Sequence, residues 1–258
     1  MRRYEILIMD VDGTLSNYSP TDLPMMPTKP VKDAILKAQK KVLVGVATSR
    51  PLIKMKPILE ELKFNCYSIL HNGAQIITPI TLETKWMKPL SLDVVRELYK
   101  LARKYDIRMF VSNFESNLSV TSIEQLSTGL VADVFFDGVD IQVSKSVSTE
   151  LSRIPDIAIH HLSSRWKDKL EISITQAEAT KKSAIVEIAR LLNIDTERII
   201  GIGDAENDIP LLNACGLKVA MGNAVNELKA IADFVAPSVE DDGVRFVIEK
   251  FILGSGKF

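Results

Sequence analysis

The 258 residues hold two cysteines, three histidines and two tryptophans, and each scarcity narrows the field. Cys66 and Cys215 lie in a strand-like and a helix-like apolar run, so they read as buried free thiols rather than a disulfide framework or a thiolate metal site. Lysine plus arginine (32) almost equals aspartate plus glutamate (33), leaving a formal charge of −1. That balance provides no electrostatic footprint for nucleic acid or an anionic membrane. No apolar run approaches the roughly 20 residues of a membrane span. The run after Arg2-Arg3 is too short for a secretory signal and soon reaches Asp10. A reducing, cytoplasmic setting is the expectation. Repeats and low-complexity tracts are also missing. What remains is 46% hydrophobic and 25% charged, the composition of a globular chain long enough for two domains.

The apolar pattern alternates strand and helix at both ends. Ile6–Met9, Val42–Ala47 and Cys66–Leu70 read as strands buried on both faces. Between them, helices are expected at Val31–Lys40 and from Pro51, a residue suited to a first helical turn, to about Leu62. A proline-rich stretch, Ser16–Lys29, reads as an irregular flap. Met25 and Met26 are expected to pack down within it as gap-fillers. The rhythm resumes with a helix at Thr180–Leu192, strands at Ile199–Ile202 and Leu217–Met221, a short edge strand near Asp233–Val235, and a closing helix at Gly243–Leu253. In between, a helix at Leu92–Tyr105, four short strand-like runs and a helix near Ser148–Ile154 read as an inserted α+β domain. Trp86 and Trp166 stand near its junctions as packing anchors. The expected fold is thus α/β: a Rossmann-like parallel core over 1–80 and 176–258, with an α+β cap over 81–175.

Asp10-Val11-Asp12-Gly13-Thr14-Leu15 follows the first strand directly. Open parallel sheets bind ligands at the carboxyl ends of their strands. There, Gly13 permits a tight turn and Thr14 can meet a phosphate or cap that turn. The other strand ends carry Thr48-Ser49-Arg50, His71-Asn72-Gly73-Ala74 and Gly203-Asp204-Ala205-Glu206-Asn207-Asp208. Three or four carboxylates should therefore converge, and their mutual repulsion demands positive charge. An oxygen donor set suits Mg²⁺ better than zinc, and Lys181 at the start of a helix offers a second cation. Carboxylates, a hard cation, a lysine and anion-binding turns together describe a phosphoryl site.

These motifs, in this order and with Ala220-Met221-Gly222-Asn223-Ala224 beyond them, resemble the haloacid dehalogenase superfamily of phosphohydrolases. The likeness is to the Cof-like branch, with a large cap inserted after the third core strand. The resemblance implies Asp10 as nucleophile, already ionised at neutral pH, and Asp12 as general acid, then base. It implies Mg²⁺ held by the Asp10 side chain, the Asp12 backbone carbonyl and Asp204, with Asp208 nearby or acting through water. Thr48, Ser49, Lys181 and Asn207 are the implied phosphate-side residues. Lys182, where relatives carry glycine, competes with Lys181 for that role, and Thr48 also has the chemistry to cap the following helix. Arg50, Asn72 and Gly73 stand between substrate contact and turn stabilisation, and the three histidines read as structural. Arg108, Asn113 and Arg165 are candidate cap contacts. The implied activity is hydrolysis of a small phosphorylated metabolite, a sugar phosphate or phosphoglycolate-like acid. A phosphomannomutase-like phosphotransferase and an inactive phosphate-binding regulatory module remain as alternatives.

Overall fold

The computed structural model describes residues 4–19, 25–114, 117–122, 129–162 and 168–254; Trp166, Arg165, Pro20 and Pro24 lie outside them. Four consecutive aliphatic residues with no exposed surface make β1 (Ile6–Met9). α1 (Lys29–Ala38) begins behind Thr28, whose hydroxyl accepts the Val31 N–H, and turns Val31, Ala34, Ile35 and Ala38 inward. β2 (Leu43–Val46) and α2 (Leu52–Leu62) complete the first alternation, with Pro51 just before the helix rather than inside it. β3 (Ser68–Leu70), β4 (Gln75–Ile77) and β5 (Thr84–Met87) form a separate three-stranded antiparallel sheet. β3 runs beside β2: Ala47 and Ile69 form a parallel bridge, the Cys66 N–H donates to the Val44 carbonyl and the Thr48 N–H to the Ile69 carbonyl. The expected third core strand is short, because the chain turns back at 71–74 after three residues.

α3 (Leu92–Lys104), β6 (Arg108–Ser112), β7 (Asn117–Val120), β8 (Asp133–Asp140), α4 (Ile141–Leu151), β9 (Ile157–Leu162) and β10 (Lys169–Gln176) build an antiparallel sheet in the order β7-β6-β8-β10-β9, backed by the two helices. α4 starts earlier than the pattern at Ser148–Ile154 suggests. It follows β8 without a loop, and only Val147 and Leu151 are buried on it, so the apolar stripe marks just its last turns. The chain then returns through α5 (Lys181–Leu192), β11 (Ile199–Gly203), α6 (Ile209–Asn213), β12 (Leu217–Ala220), α7 (Asn226–Ile231), β13 (Phe234–Val235) and α8 (Gly243–Ile248). The central sheet is parallel throughout, ordered β13-β12-β11-β1-β2.

Two separate apolar clusters result, one around the parallel sheet and one between the antiparallel sheet and α3 and α4. Trp86 packs against the first. Cys66 and Cys215 are free and buried, as their apolar settings suggest, and burial pushes the Cys66 thiol up to about 12. Met25 and Met26 correct an expectation: they are 42% and 39% exposed, so they do not fill gaps in the core. Among the described residues no helix is long and apolar enough to cross a membrane.

Candidate active site

Parallel pairing fixes where the polar strand ends meet. Met9 pairs with Ile202 and with Val46, so the residues just beyond β1, β2 and β11 share one edge. Asp10, Thr48 and Asp204 occupy it, all buried. Carboxylate oxygens of Asp10, Asp204 and Asp208 lie within 4.8 Å of one another. Lys181 enters from the first turn of α5, fully buried, with Nζ 2.6 Å from both Asp10 Oδ1 and Asp208 Oδ1. Lys182, one position on, is exposed. The choice between the two lysines is therefore made by helix phase: only Lys181 faces the acids.

The turns supporting this cluster are tightly packed. Gly13 has φ +81, and a Cβ there would sit 2.3 Å from Asp204 Oδ2, so both backbone and space require glycine. Asn223, from the Ala220–Ala224 motif, donates its amide to the Gly13 carbonyl at 2.8 Å and pins that turn. Thr14 and Tyr18 donate to the two oxygens of Asp204 at 2.8 and 2.7 Å. Thr14 therefore orients an acid, where the sequence pattern had it meeting phosphate or capping the turn. Tyr18 was not anticipated. It sits in the irregular flap, where no periodicity marks a functional residue. Asp208 Oδ2 accepts the backbone N–H groups of Asp204 and Ala205 at 2.9 and 3.1 Å, closing the loop on itself.

Asp12 stands apart from the three converging acids. Its two oxygens accept Nε and a terminal nitrogen of Arg50 at 2.6 and 2.8 Å, a two-pronged ion pair at the mouth of the site. Arg50 thus serves Asp12 in this state. Thr48 Oγ1 accepts the Arg50 N–H at 3.1 Å, so the threonine shapes that turn, and α2 starts with no side-chain cap. Ser49 is half-buried beside it.

A chain of buried hydrogen bonds joins the parallel-sheet side to the antiparallel sheet above. Asn207 Nδ2 donates to Asn72 Oδ1 at 3.0 Å, and Asn72 Nδ2 to Ser173 Oγ at 3.2 Å. Ser173 Oγ donates to Asp133 Oδ2, and His71 Nδ1 lies 3.3 Å from Asp133 Oδ1. The 71–74 turn is locked against α5: a Cβ on Gly73, φ +118, would stand 2.3 Å from the Thr180 carbonyl oxygen. Asn207 therefore ties the acidic loop, through Asn72, to Ser173 of the antiparallel sheet. His160 Nε2 lies 2.8 Å from Thr175 Oγ1, whose own hydrogen goes to the Ala179 carbonyl. The imidazole must then be the donor, with its proton on Nε2. Burial, with Lys181 nearby, pushes His160 down to about 4.

Electrostatics describe a site short of positive charge. Burial raises Asp10 well above the usual carboxylate range; Lys181 pulls against that rise, and Asp208 and Asp204 add to it. Asp204 is raised to about 7 by burial and by Asp208, despite hydrogen bonds from Tyr18 and Thr14. Lys181 is penalised by burial, yet its two carboxylate partners outweigh the penalty and hold it charged. Three acids against one ammonium, presenting only oxygen donors, fit a hard divalent cation.

A profile of haloacid dehalogenase-like hydrolases matches residues 7–248. A 5-amino-6-(5-phospho-D-ribitylamino)uracil phosphatase of Bacillus subtilis is 27% identical over 256 residues, covering 96% of each chain. A phosphoglycolate phosphatase of Methanopyrus kandleri is 25% identical over 248 residues, covering 96% of this chain and 97% of its own. Among solved structures, a haloacid dehalogenase-like hydrolase from B. subtilis superposes with a TM-score of 0.84 at 19% identity, over 95% of this chain and 99% of that one. A haloacid dehalogenase subclass IIB sugar phosphatase reaches 0.80 at 22% identity, over 96% and 98%. The match spans both the parallel sheet and the antiparallel sheet above it, and the chain belongs to the haloacid dehalogenase-like hydrolase family.

Proposed function

We propose that the protein is a Mg²⁺-dependent phosphatase that hydrolyses a small phosphorylated metabolite through an aspartyl-phosphate on Asp10. The observation that carries this reading is the meeting of Asp10, Asp204 and Asp208 from separate loops around the buried Nζ of Lys181. Relatives named as phosphatases of a ribitylaminouracil phosphate and of phosphoglycolate support the reaction class.

In this reading the Asp10 carboxylate attacks phosphorus in line as the bond to the leaving oxygen breaks. Asp12 gives its proton to that oxygen, then takes one from the water that attacks the aspartyl-phosphate. Phosphate departs and Asp10 is regenerated. Asp12 must turn out of the Arg50 pair to reach the leaving oxygen, so Arg50 parks the acid until substrate enters. Lys181 meets the phosphoryl oxygens from the Asp10 side, while Thr48 and Ser49 line the opposite loop. Asp10, the Asp12 carbonyl, Asp204 and Asp208 would hold the metal, which supplies charge neutralisation for an anionic substrate beside anionic ligands. The cap, tied down through Asn72 and Ser173, excludes water during the first step.

The test is phosphate release from a panel of phosphate monoesters with Mg²⁺, with chelator, and with Asp10→Asn. Turnover that survives chelation or the Asp10 substitution contradicts the proposal.

A further inference from the structure

Tyr18 reaches the acids by a route of its own. The turn after β1 closes on itself: the Gly13 N–H donates to the Ser16 carbonyl at 2.7 Å and the Ser16 N–H to the Val11 carbonyl at 3.0 Å. The chain doubles back, and the Tyr18 ring lies against Gly13. A Cβ at residue 13 would stand 2.6 Å from Tyr18 Cε2 and 2.3 Å from Asp204 Oδ2. The same missing side chain therefore makes room for both partners of the Tyr18–Asp204 hydrogen bond. Asn223 fixes the turn through both ends of its amide: Nδ2 donates to the Gly13 carbonyl at 2.8 Å, and Oδ1 accepts the Val239 N–H at 2.9 Å.

Asp204 differs from the other two acids in what it binds. Asp10 and Asp208 share the Lys181 ammonium. Asp204 has neutral donors instead, Thr14 on Oδ1 at 2.8 Å and Tyr18 on Oδ2 at 2.7 Å. A carboxylate bonded through both oxygens cannot turn about its Cβ–Cγ bond without breaking both bonds, yet each oxygen keeps a lone pair for a metal. Burial and the Asp208 charge work against ionised Asp204, and the two hydroxyls work for it. The two donors are held differently. Thr14 is buried inside the turn, whereas Tyr18 is 49% exposed and comes from the solvent side, on the flap.

We propose that Tyr18 is a positioning residue for the metal: its phenol holds the Asp204 carboxylate in one orientation for the cation. This rests on the metal-dependent phosphatase reading and deepens it. Donors that hydrogen-bond a metal-ligating group from outside the coordination sphere govern affinity by tenfold or more when removed. The start of the flap thus sets how tightly the site takes its metal, without itself touching metal or substrate.

The test is calorimetric titration of Mg²⁺ into substrate-free wild type, Tyr18→Phe and Tyr18→Leu. Phenylalanine keeps the ring on Gly13 and removes only the donor; leucine removes both. Both variants should bind Mg²⁺ about tenfold more weakly than wild type, with unchanged circular dichroism. The Mg²⁺ concentration that gives half-maximal phosphate release should rise by the same factor. Wild-type affinity in Tyr18→Phe beside weakened binding in Tyr18→Leu would reduce the contact to ring packing. Tighter binding in Tyr18→Phe would mean that the phenol blocks the cation. Either result overturns the proposal. Equal affinity in all three proteins overturns it too and leaves the metal reading standing, whereas a wild type that takes up no Mg²⁺ overturns both.

Discussion

The two ends of this cleft solve opposite problems. At the parallel-sheet edge, Asp10, Asp204 and Asp208 crowd within 4.8 Å around one buried lysine. Position there follows from the pairing of three strands whose carboxyl ends must coincide. On the cap face, Asp133, Ser173, Phe110 and Phe135 come from three antiparallel strands, and each depends on register and on which side of the pleat it occupies. The reaction end is dense in charge and closed by short turns. The cap end mixes rings with single polar groups. The acids of the first end sit in short loops, whereas the polar and aromatic residues of the second are spread across a sheet face.

The sharpest way to break that contrast is Asp10→Asn. It should lower phosphate release by at least about a thousandfold while circular dichroism and the thermal midpoint stay near wild type. Lys181→Met comes next. It strands buried carboxylates without their cation, so urea denaturation at neutral pH should show a loss of about 3–5 kcal/mol, along with lost turnover. If the loss were below about 1 kcal/mol, the charge-deficit view of this end would fail.

The cap end has its own pH signature. His160, held near 4 when folded, titrates near 6.5 when unfolded. Between those values the unfolded chain binds the extra proton, so stability falls as pH drops from about 6.5 towards 4 and is level above it. The contribution approaches about 3 kcal/mol at the acid end. His160→Gln should flatten that part of the stability–pH curve, read by denaturant melts across the range. Smallest is Arg50→Lys, which keeps a charge but loses the fork on Asp12. A fall of roughly tenfold in kcat with little change in KM is expected; an unchanged kcat would show that the pair with Asp12 does not matter.

Legibility follows the same divide. Asp10, Asp204 and Asp208 could be read from sequence because a buried strand followed by acids puts its first polar residue at the sheet edge. Lys181 was legible by order alone, and helix phase then separated it from Lys182. The counter-charge of Asp12 was hidden, because its partner, Arg50, lies 38 residues away on another strand end. Tyr18 and Thr14 as holders of Asp204 were equally hidden: both bonds span more than 180 residues. His71 and His160 were read as structural, and both bridge to polar groups of the cap sheet.

By itself, the chain order of apolar runs and acidic turns determined an α/β core, an inserted α+β unit and the acids that gather at the core's edge, because hydrophobic periodicity and strand-end position are local properties. Which lysine turns inward, where Asp12 finds its counter-charge and which cap residues look down on the cleft were decided only in the folded state. Those outcomes depend on pairings between residues far apart in the chain, and no local pattern encodes the register that brings them together.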